Sequence, residues 1–167
     1  MHLAIIMDGN GRYGKNKYGV RSLGHKDGAE KLYEICKWCP ELNVDYLTVY
    51  AFSTENWKRS KEEVDFLMKL FDEIVRCTKK IINEGINPEK LDEKVFSNYL
   101  DTKNIPDVDL MIRTGGEYRL SNFLLWQLSY SEIYFSPTLF HEFSQKELKE
   151  IIDSFKKRDR RFGGVKA

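Results

Sequence analysis

A short apolar run that stops abruptly at a glycine-rich polar segment is the most restrictive feature of this chain. Residues 3–7 have the length and branching of a buried strand, and Asp8-Gly9-Asn10-Gly11-Arg12 follows directly. The glycines allow a tight turn with inward-facing backbone N–H groups, and Arg12 supplies a guanidinium that matches phosphate oxygens. Asp8 suits the same place only if a cation lies between it and the phosphate, so the segment predicts a Mg²⁺–diphosphate site. An ordinary turn in which Asp8 caps a helix stays open as the alternative.

Two other uses of such a segment fit its spacing poorly. An EF-hand loop needs an oxygen ligand at its fifth position and glycine at its sixth, where this chain has Arg12 and Tyr13. Phosphatases with an aspartyl nucleophile usually resemble D-x-D, whereas the third position here is Asn10. A calcium loop and covalent phosphoryl transfer are therefore both disfavoured.

Composition predicts one domain over residues 1–167, since 41% of the 167 residues are hydrophobic and no Pro/Gly/Ser-rich linker divides them. The net charge is only +1, so no global field would recruit nucleic acid, and we expect no such partner. No apolar run approaches the roughly 20 residues of a membrane span, and the chain starts with a strand pattern, which favours a cytoplasmic protein. Three cysteines fit reduced thiols. Cys36 and Cys39 lack a second pair and lie in a helical pattern ending at Pro40, so both are predicted to face the core.

Helical and strand patterns alternate along the chain. Capping boxes at Ser60–Glu63 and Ser144–Glu147 open two of the helices. The predicted helices cover residues 24–38, 60–82, 87–100, 124–130 and 145–156, and the predicted strands cover residues 3–7, 46–52, 108–112 and 133–135. This alternation predicts an α/β fold with a mostly parallel central sheet that is flanked by helices on both faces.

Three of the predicted strands end in polar loops, namely residues 8–12, 53–59 and 113–121. The carboxyl ends of parallel strands meet at one crevice, where ligands bind in such sheets. The third loop has Arg113, Arg119 and Ser121 around two glycines and predicts a second phosphate site. Any one of these loops could be an ordinary solvated connector. Together they indicate two phosphorylated substrates and a metal, and hence a transfer reaction.

Seven segments resemble, in order, the signature segments of cis-prenyltransferases of the undecaprenyl diphosphate synthase type. They span nearly the whole chain: Met7-Asp-Gly-Asn-Gly-Arg12, Gly24-His25, Tyr50-Ala-Phe-Ser-Thr-Glu-Asn-Trp57, Ile112-Arg-Thr-Gly-Gly-Glu117, Arg119-Leu-Ser-Asn-Phe-Leu-Leu-Trp-Gln127, Glu132-Ile-Tyr-Phe135 and Arg160-Arg-Phe-Gly163.

The resemblance implies an enzyme that condenses isopentenyl diphosphate repeatedly onto farnesyl diphosphate, with Mg²⁺ as cofactor and each new double bond cis. The implied product is a long-chain, undecaprenyl-type polyprenyl diphosphate, the lipid carrier of cell-wall synthesis. It also implies a homodimer and peripheral membrane contact through the lipid product.

The resemblance also implies roles for individual residues. Asp8 and Glu132 would hold the metal, and Asn56 would assist proton removal from isopentenyl diphosphate. The diphosphate of the primer would contact Gly9, Asn10, Gly11, Arg12, Arg21 and His25. Arg113, Arg119 and Ser121 would bind isopentenyl diphosphate. A mobile loop over the site would carry Ser53, Trp57, Arg59 and Glu63. Tyr13 stands where the family usually has Trp and is also expected near substrate, while Arg161 and Gly163 match a motif that reaches the partner's active site.

The chain departs from the family between Phe71 and Asp72, where relatives have several dozen more residues, including two strands. Either the molecule has a true internal deletion, or two pieces of a longer protein are joined here. The second explanation is favoured, because losing two strands would expose the core and remove part of the tunnel that measures product length. Two other functions stay open: a non-catalytic prenyltransferase-like binding subunit and a Mg²⁺-dependent phosphohydrolase.

Overall fold

The computed structural model describes residues 1–50 and 73–159. They fall into two compact units, one formed by Met1–Ala51 with Asp107–Ala167 and the other within Phe52–Pro106. The single domain expected over residues 1–167 stays a prediction. The elements in chain order are β1 (His2–Ile6), α1 (Asn10–Tyr18), α2 (Arg21–Glu41), β2 (Tyr46–Tyr50), α3 (Glu73–Asn83), a 3-10 turn (Pro88–Lys90), α4 (Glu93–Ser97), β3 (Leu110–Arg113), β4 (Glu132–Phe135), a second 3-10 turn (Phe140–Glu142) and α5 (Gln145–Lys156).

The first unit is built on a four-stranded sheet in the order β2-β1-β3-β4, and every strand pair is parallel. Ile5 of β1 lies between Val49 of β2 and Ile112 of β3. All five residues of β1 are buried, because this strand has a neighbour on both sides and packing on both faces. The predicted parallel α/β sheet is confirmed.

One face of the sheet carries the larger hydrophobic core. Residues of β1 and β3 there pack against α2, α5 and the 3-10 turn that contains Phe140. Ile35 of α2 and Leu148 of α5 are fully buried in this cluster. The amphipathic patterns of α2 and α5 require such a face to pack against. The predicted cap of α5 is present, since Ser144 Oγ accepts from the Glu147 N–H at 3.1 Å.

The opposite face is covered, among the described residues, by the segment from Leu120 to Leu128. The helix predicted over residues 124–130 is wrong, because this segment forms successive turns. Ser121, Asn122 and Leu124 have positive φ angles, which a right-handed helix cannot contain. The apolar pattern that suggested a helix instead reflects the burial of Phe123 and Leu128 against the sheet.

Helix α2 is longer than predicted and passes Pro40 by one residue. Cys39 is buried in the core as expected, whereas the prediction is wrong for Cys36, which is exposed. The sequence patterns do not predict helix α1, since its residues are mostly polar and include two glycines.

In the second unit, α3 buries Cys77 and Ile81. The helix predicted over residues 87–100 is interrupted, because Asp92 adopts an extended conformation and caps a separate helix, α4, by accepting from the Val95 N–H at 2.7 Å. Residues 60–72 of the preceding predicted helix lie outside the described part of the chain. Within residues 1–50 and 73–159, the structure has no helix that is long and apolar enough to cross a membrane.

Candidate active site

The loops after β1 and β3 lie side by side, because these strands are neighbours and Ile6 is in register with Arg113. Asp8 follows β1 by two residues, and Thr114 and Gly115 follow β3. Arg12 Nη2 donates to the Gly115 carbonyl oxygen at 2.5 Å, which joins the two loops. The structure therefore brings residues 8–12 and 113–121 together at the carboxyl edge of the sheet, as the sequence predicts.

Arg113 binds both loops from inside the protein. Its Nη2 donates to Asp8 Oδ2 at 2.8 Å, and its side chain is 2% exposed. Its Nη1 donates to the Arg119 carbonyl oxygen and, at 3.2 Å, to Ser121 Oγ. The buried Nε has no hydrogen-bond partner among the described residues. The buried guanidinium of Arg113 thus holds the two loops together from within the protein. The Asp8 side chain, by contrast, is 30% exposed.

The Asp8 carboxylate is held by two hydrogen bonds and one longer ion pair. Besides Arg113, the Gly9 N–H donates to Oδ1 at 2.6 Å, and Arg12 Nη2 lies 3.5 Å from the same oxygen. These contacts fix the direction of the carboxylate.

The amino end of α1 is the first candidate anion site. Gly9 precedes the helix at φ +104°, and no side chain caps this end. The backbone N–H groups of the first turn and the helix dipole therefore favour a negative ligand here. Gly9 must be glycine, because a Cβ would also lie 2.8 Å from Leu139 Cδ2.

Helix α2 brings further basic residues to the same end of α1. The Arg21 guanidinium lies so close to Gly11 that a Cβ there would be 2.9 Å from Arg21 Nη2. The two helices cross backbone to backbone, since a Cβ on Gly24 would meet the Asn10 carbonyl oxygen at 1.9 Å. His25 follows on α2 and is exposed. The predicted primer residues of α1 and α2 are thus grouped in space.

The second candidate anion site is the loop around Gly115 and Gly116, whose φ angles are +88° and +72°. Arg119 lies at its rim with its side chain 39% exposed and donates from Nη1 to Glu117 Oε2 at 2.5 Å. Ser121 is fixed by the Arg113 contact and by Tyr50, whose hydroxyl donates to the Ser121 carbonyl oxygen at 3.0 Å. Burial raises the pKa of Tyr50, so its hydroxyl stays a neutral donor.

Tyr13 packs beside the site, with its ring centroid 4.1 Å from that of His141. Its hydroxyl accepts from Lys17 Nζ at 2.8 Å. Hydrogen bonds to Tyr13 and Tyr18 raise the pKa of Lys17. The site residues predicted from the sequence do not include His141, Thr114 or Glu117. Thr114 and Glu117 flank Gly115 and Gly116 in the sequence, and this position is a signal that could have identified them as site residues.

Glu132 lies elsewhere in the chain fold. It opens β4 in register with Leu110, whereas Asp8 lies beyond the level of Arg113. Along the strand direction, Glu132 and Asp8 are about five residues apart, which is roughly 16 Å at about 3.3 Å per residue. The Glu132 carboxylate forms an ion pair with Arg158 instead. The described part of one chain therefore does not bring Glu132 to Asp8, and it contains no group of three or more His, Cys, Asp or Glu residues able to hold a metal ion.

Several predicted site residues lie outside the described ranges: Ser53, Asn56, Trp57, Arg59, Glu63, Arg161 and Gly163.

A family model described as "Putative undecaprenyl diphosphate synthase" matches residues 6–73 and 71–163. The chain belongs to the cis-prenyltransferase family. It is 40% identical to an isoprenyl transferase of Wolinella succinogenes, and the alignment covers 98% of this chain and 96% of that protein. It is 39% identical to an isoprenyl transferase of Helicobacter pylori strain 26695, and that alignment covers 99% of this chain and 97% of the relative. The chain is accordingly a prenyltransferase enzyme.

Two solved structures resemble this cis-prenyltransferase in fold. Lavandulyl diphosphate synthase from Lavandula x intermedia, in complex with dimethylallyl diphosphate, has a TM-score of 0.83 and 30% identity. A probable undecaprenyl diphosphate synthase from Campylobacter jejuni has a TM-score of 0.70 and 32% identity. In both comparisons 97% of each chain is covered.

The comparisons also bear on the position between Phe71 and Asp72. The family model matches in two pieces that meet at residues 71–73. The alignment to the Wolinella protein has 223 positions, whereas this chain has 167 residues, so several dozen positions of the relative face a gap.

Proposed function

We propose that this cis-prenyltransferase joins isopentenyl diphosphate to an allylic diphosphate primer with Mg²⁺, and that repeated addition to farnesyl diphosphate gives a long-chain polyprenyl diphosphate. The observation that carries the proposal is the contact between Arg113 and Asp8, because it joins the acid that follows β1 to the loop that follows β3. A reaction between two bound diphosphates would use both loops at once.

The primer site is assigned to the amino end of α1. Its uncapped N–H groups, the Arg12 guanidinium and the nearby Arg21 provide fixed donors for a diphosphate. Allylic ionisation releases this diphosphate, so donors that are fixed in advance stabilise the charge that develops on the leaving group.

Isopentenyl diphosphate is assigned to the second site. Arg119 has an exposed guanidinium there, and Ser121 is held in place by Arg113 and Tyr50. Gly115 and Gly116 shape the turn that leads to these residues, and their own N–H groups donate to the Thr138 and Ser136 carbonyl oxygens.

Asp8 fits Mg²⁺, because this ion takes oxygen ligands and usually combines one or two carboxylates with the phosphates of a substrate. Each Asp8 oxygen keeps a free lone pair beside its present donor, and the side chain faces the crevice. A bound Mg²⁺ would supply Lewis-acid stabilisation of the departing diphosphate. We leave Glu132 out of this site, since it lies at the other edge of the sheet.

The loop of residues 53–59 is proposed to complete the site. Trp57 would exclude water from the allylic centre, Ser53 and Arg59 would contribute to substrate binding, and Asn56 would position the proton that is lost from isopentenyl diphosphate. A homodimer and a cytoplasmic enzyme that contacts the membrane through its lipid product complete the proposal.

The alternatives are less well supported. A non-catalytic subunit would not need the charged groups of both anion sites, yet Asp8, Arg12, Arg113 and Arg119 are all present and in contact. A phosphohydrolase would have no use for a second diphosphate site.

The test incubates purified protein with radiolabelled isopentenyl diphosphate, Mg²⁺ and either farnesyl or dimethylallyl diphosphate. Dimethylallyl diphosphate is included because the lavandulyl diphosphate synthase structure contains it. Long polyprenyl products from farnesyl diphosphate, lost when EDTA is added, would support the proposal. A single condensation with dimethylallyl diphosphate alone would replace the long-chain assignment, and phosphate release from simple esters without condensation would favour the phosphohydrolase.

A further inference from the structure

Thr114 is fully buried directly after β3, and none of the roles described above uses its side chain. Its Oγ1 accepts from the Asp8 N–H at 3.1 Å and lies 2.9 Å from the Asp8 carbonyl oxygen, to which it donates. The Ile6 carbonyl oxygen, at 3.3 Å, is a second, longer acceptor. One hydroxyl therefore contacts both main-chain polar groups of the residue that lies between the two anion sites.

Asp8 depends on such contacts because it lies beyond the end of β1, where the strand ladder no longer fixes the backbone. Its N–H also contacts the Ile6 carbonyl oxygen at 3.0 Å, and its carbonyl oxygen also accepts from the Phe140 N–H at 3.0 Å. Among the described contacts to the Asp8 main chain, Thr114 supplies the only side chain.

The direction of the Asp8 carboxylate follows from the backbone, since the side chain has only two rotatable bonds and both oxygens already have fixed donors, the Gly9 N–H and Arg113 Nη2. A small rotation of the Asp8 main chain would move the carboxylate away from these donors. Arg113 precedes Thr114 directly, so the same turn places the carboxylate and its cation together.

We propose that Thr114 is a positioning residue whose hydroxyl orients Asp8 toward a bound Mg²⁺–diphosphate. The inference rests on the proposed function only in taking Asp8 as the residue that holds Mg²⁺. It adds that the carboxylate is effective because a neighbouring hydroxyl fixes its backbone.

The experiment compares three variants of the full chain. Thr114→Val keeps the shape and removes the hydroxyl, and Thr114→Ser keeps the hydroxyl. Thr48→Val is the matched control, because it removes a hydroxyl that contacts His2 Nε2 at 2.8 Å in the same sheet, away from Asp8. If Thr114→Val does not fold, Thr114→Ala replaces it, since it removes the hydroxyl without placing a methyl group against Asp8.

Two quantities are measured: kcat and KM for condensation, and the affinity for inorganic diphosphate with and without Mg²⁺ by calorimetry. A net hydrogen bond is worth about 1 kcal/mol, or about a fivefold change, so Thr114→Val should lower kcat at least about fivefold. It should reduce the gain in diphosphate affinity on adding Mg²⁺ by a similar factor, while Mg²⁺-free binding and KM change less. Thr114→Ser and Thr48→Val should stay close to the parent.

A Thr114→Val protein with less than about a fivefold loss in both quantities would overturn the inference, using the same hydrogen-bond scale. An equal loss in Thr114→Ser or in Thr48→Val would also overturn it, because a general loss of stability would then explain the effect. If the parent makes no prenyl product, the proposed function fails, but the calorimetric comparison still decides the role of Thr114. A parent that binds diphosphate equally well with and without Mg²⁺ would count against the inference.

Discussion

The guanidinium of Arg113 donates to the Asp8 carboxylate at 2.8 Å while its own side chain is only 2% exposed. A nearly buried cation thus joins the acid of the first loop to the backbone of the second, through the Arg119 carbonyl oxygen. Removing either partner of such a pair leaves a charge in a site where water cannot fully solvate it.

Asp8→Ala is expected to lose nearly all turnover while the protein still binds primer, because the metal ligand is removed and the α1 site remains. Steady-state kinetics and calorimetry with farnesyl diphosphate would measure the two effects. Asp8→Asn is the companion variant, since it keeps the side-chain shape near Arg113. A kcat within about tenfold of the parent, roughly 1.4 kcal/mol in the barrier, would contradict the metal assignment.

Arg119→Ala is expected to weaken isopentenyl diphosphate more than farnesyl diphosphate, because Arg119 lies at the second site and Arg21 lies beside Gly11 at the first. The reverse preference is expected for Arg21→Ala. Calorimetry with each substrate tests both, with Arg158→Ala as a control because this arginine pairs with Glu132 at the other edge of the sheet. Equal losses for both substrates would argue against two separate sites.

Arg113→Ala is expected to lower the stability of the protein as well as its activity. The variant leaves the Asp8 carboxylate without its buried partner, and breaking a buried pair typically costs about 3–5 kcal/mol. Urea unfolding would measure the loss, and affinity for both substrates should fall because Arg113 also fixes Ser121. If its stability matches that of Arg119→Ala, the burial of Arg113 does not have this energetic role.

Alkylation should distinguish the three cysteines, because Cys36 is exposed while Cys39 and Cys77 are buried. Burial raises the pKa of Cys39 from 9.0 to about 11, so this thiol stays protonated and unreactive near pH 8. The folded state binds this proton more tightly than the unfolded state, so the contribution of Cys39 to stability falls as pH rises from about 9 to about 11. Iodoacetamide followed by intact-mass analysis should add one group to the native protein at pH 8 and three to the unfolded protein. Rapid labelling of Cys39 in the native protein would contradict its burial in the core.

Intact mass would also decide the nature of the junction at Phe71 and Asp72. If the full protein contains further residues there, it should be soluble, dimeric and able to make a long polyprenyl product. If the molecule has only these 167 residues, we expect aggregation or inactivity, because strands that cover apolar surface in relatives would be missing. A protein of the shorter mass that still makes long products would contradict this expectation.

The parallel sheet and the meeting of the loops after β1 and β3 were predictable, because both depend on local patterns. The apolar run at residues 3–7 ends sharply at Asp8, and the run at residues 108–112 ends at Arg113. Strand ends of this kind converge whenever the sheet is parallel.

Other features depend on the packing of distant residues and were not predictable in this way. Sequence patterns treat a charged residue after a strand as exposed, yet Arg113 is buried by the loop that follows it. The amino-acid composition around Ser121 and Leu124 does not indicate their positive φ angles, so the apolar pattern of this segment predicts a helix that the structure does not contain. Glu132 was placed by resemblance alone, although its position at the start of β4 puts it at the amino edge of the sheet.

The crossing of α1 and α2 at Gly14 and Gly24 affects how the protein responds to ligand. A Cβ on Gly14 would lie 2.5 Å from the Gly24 backbone nitrogen, so neither helix has side-chain atoms that could yield at the crossing. The amino end of α1 is therefore expected to keep its orientation in the empty protein, and little ordering free energy is spent there on binding. The conformational entropy lost when a diphosphate binds should come from other parts of the chain, and hydrogen exchange in α1 beyond its first turn should change little on ligand addition.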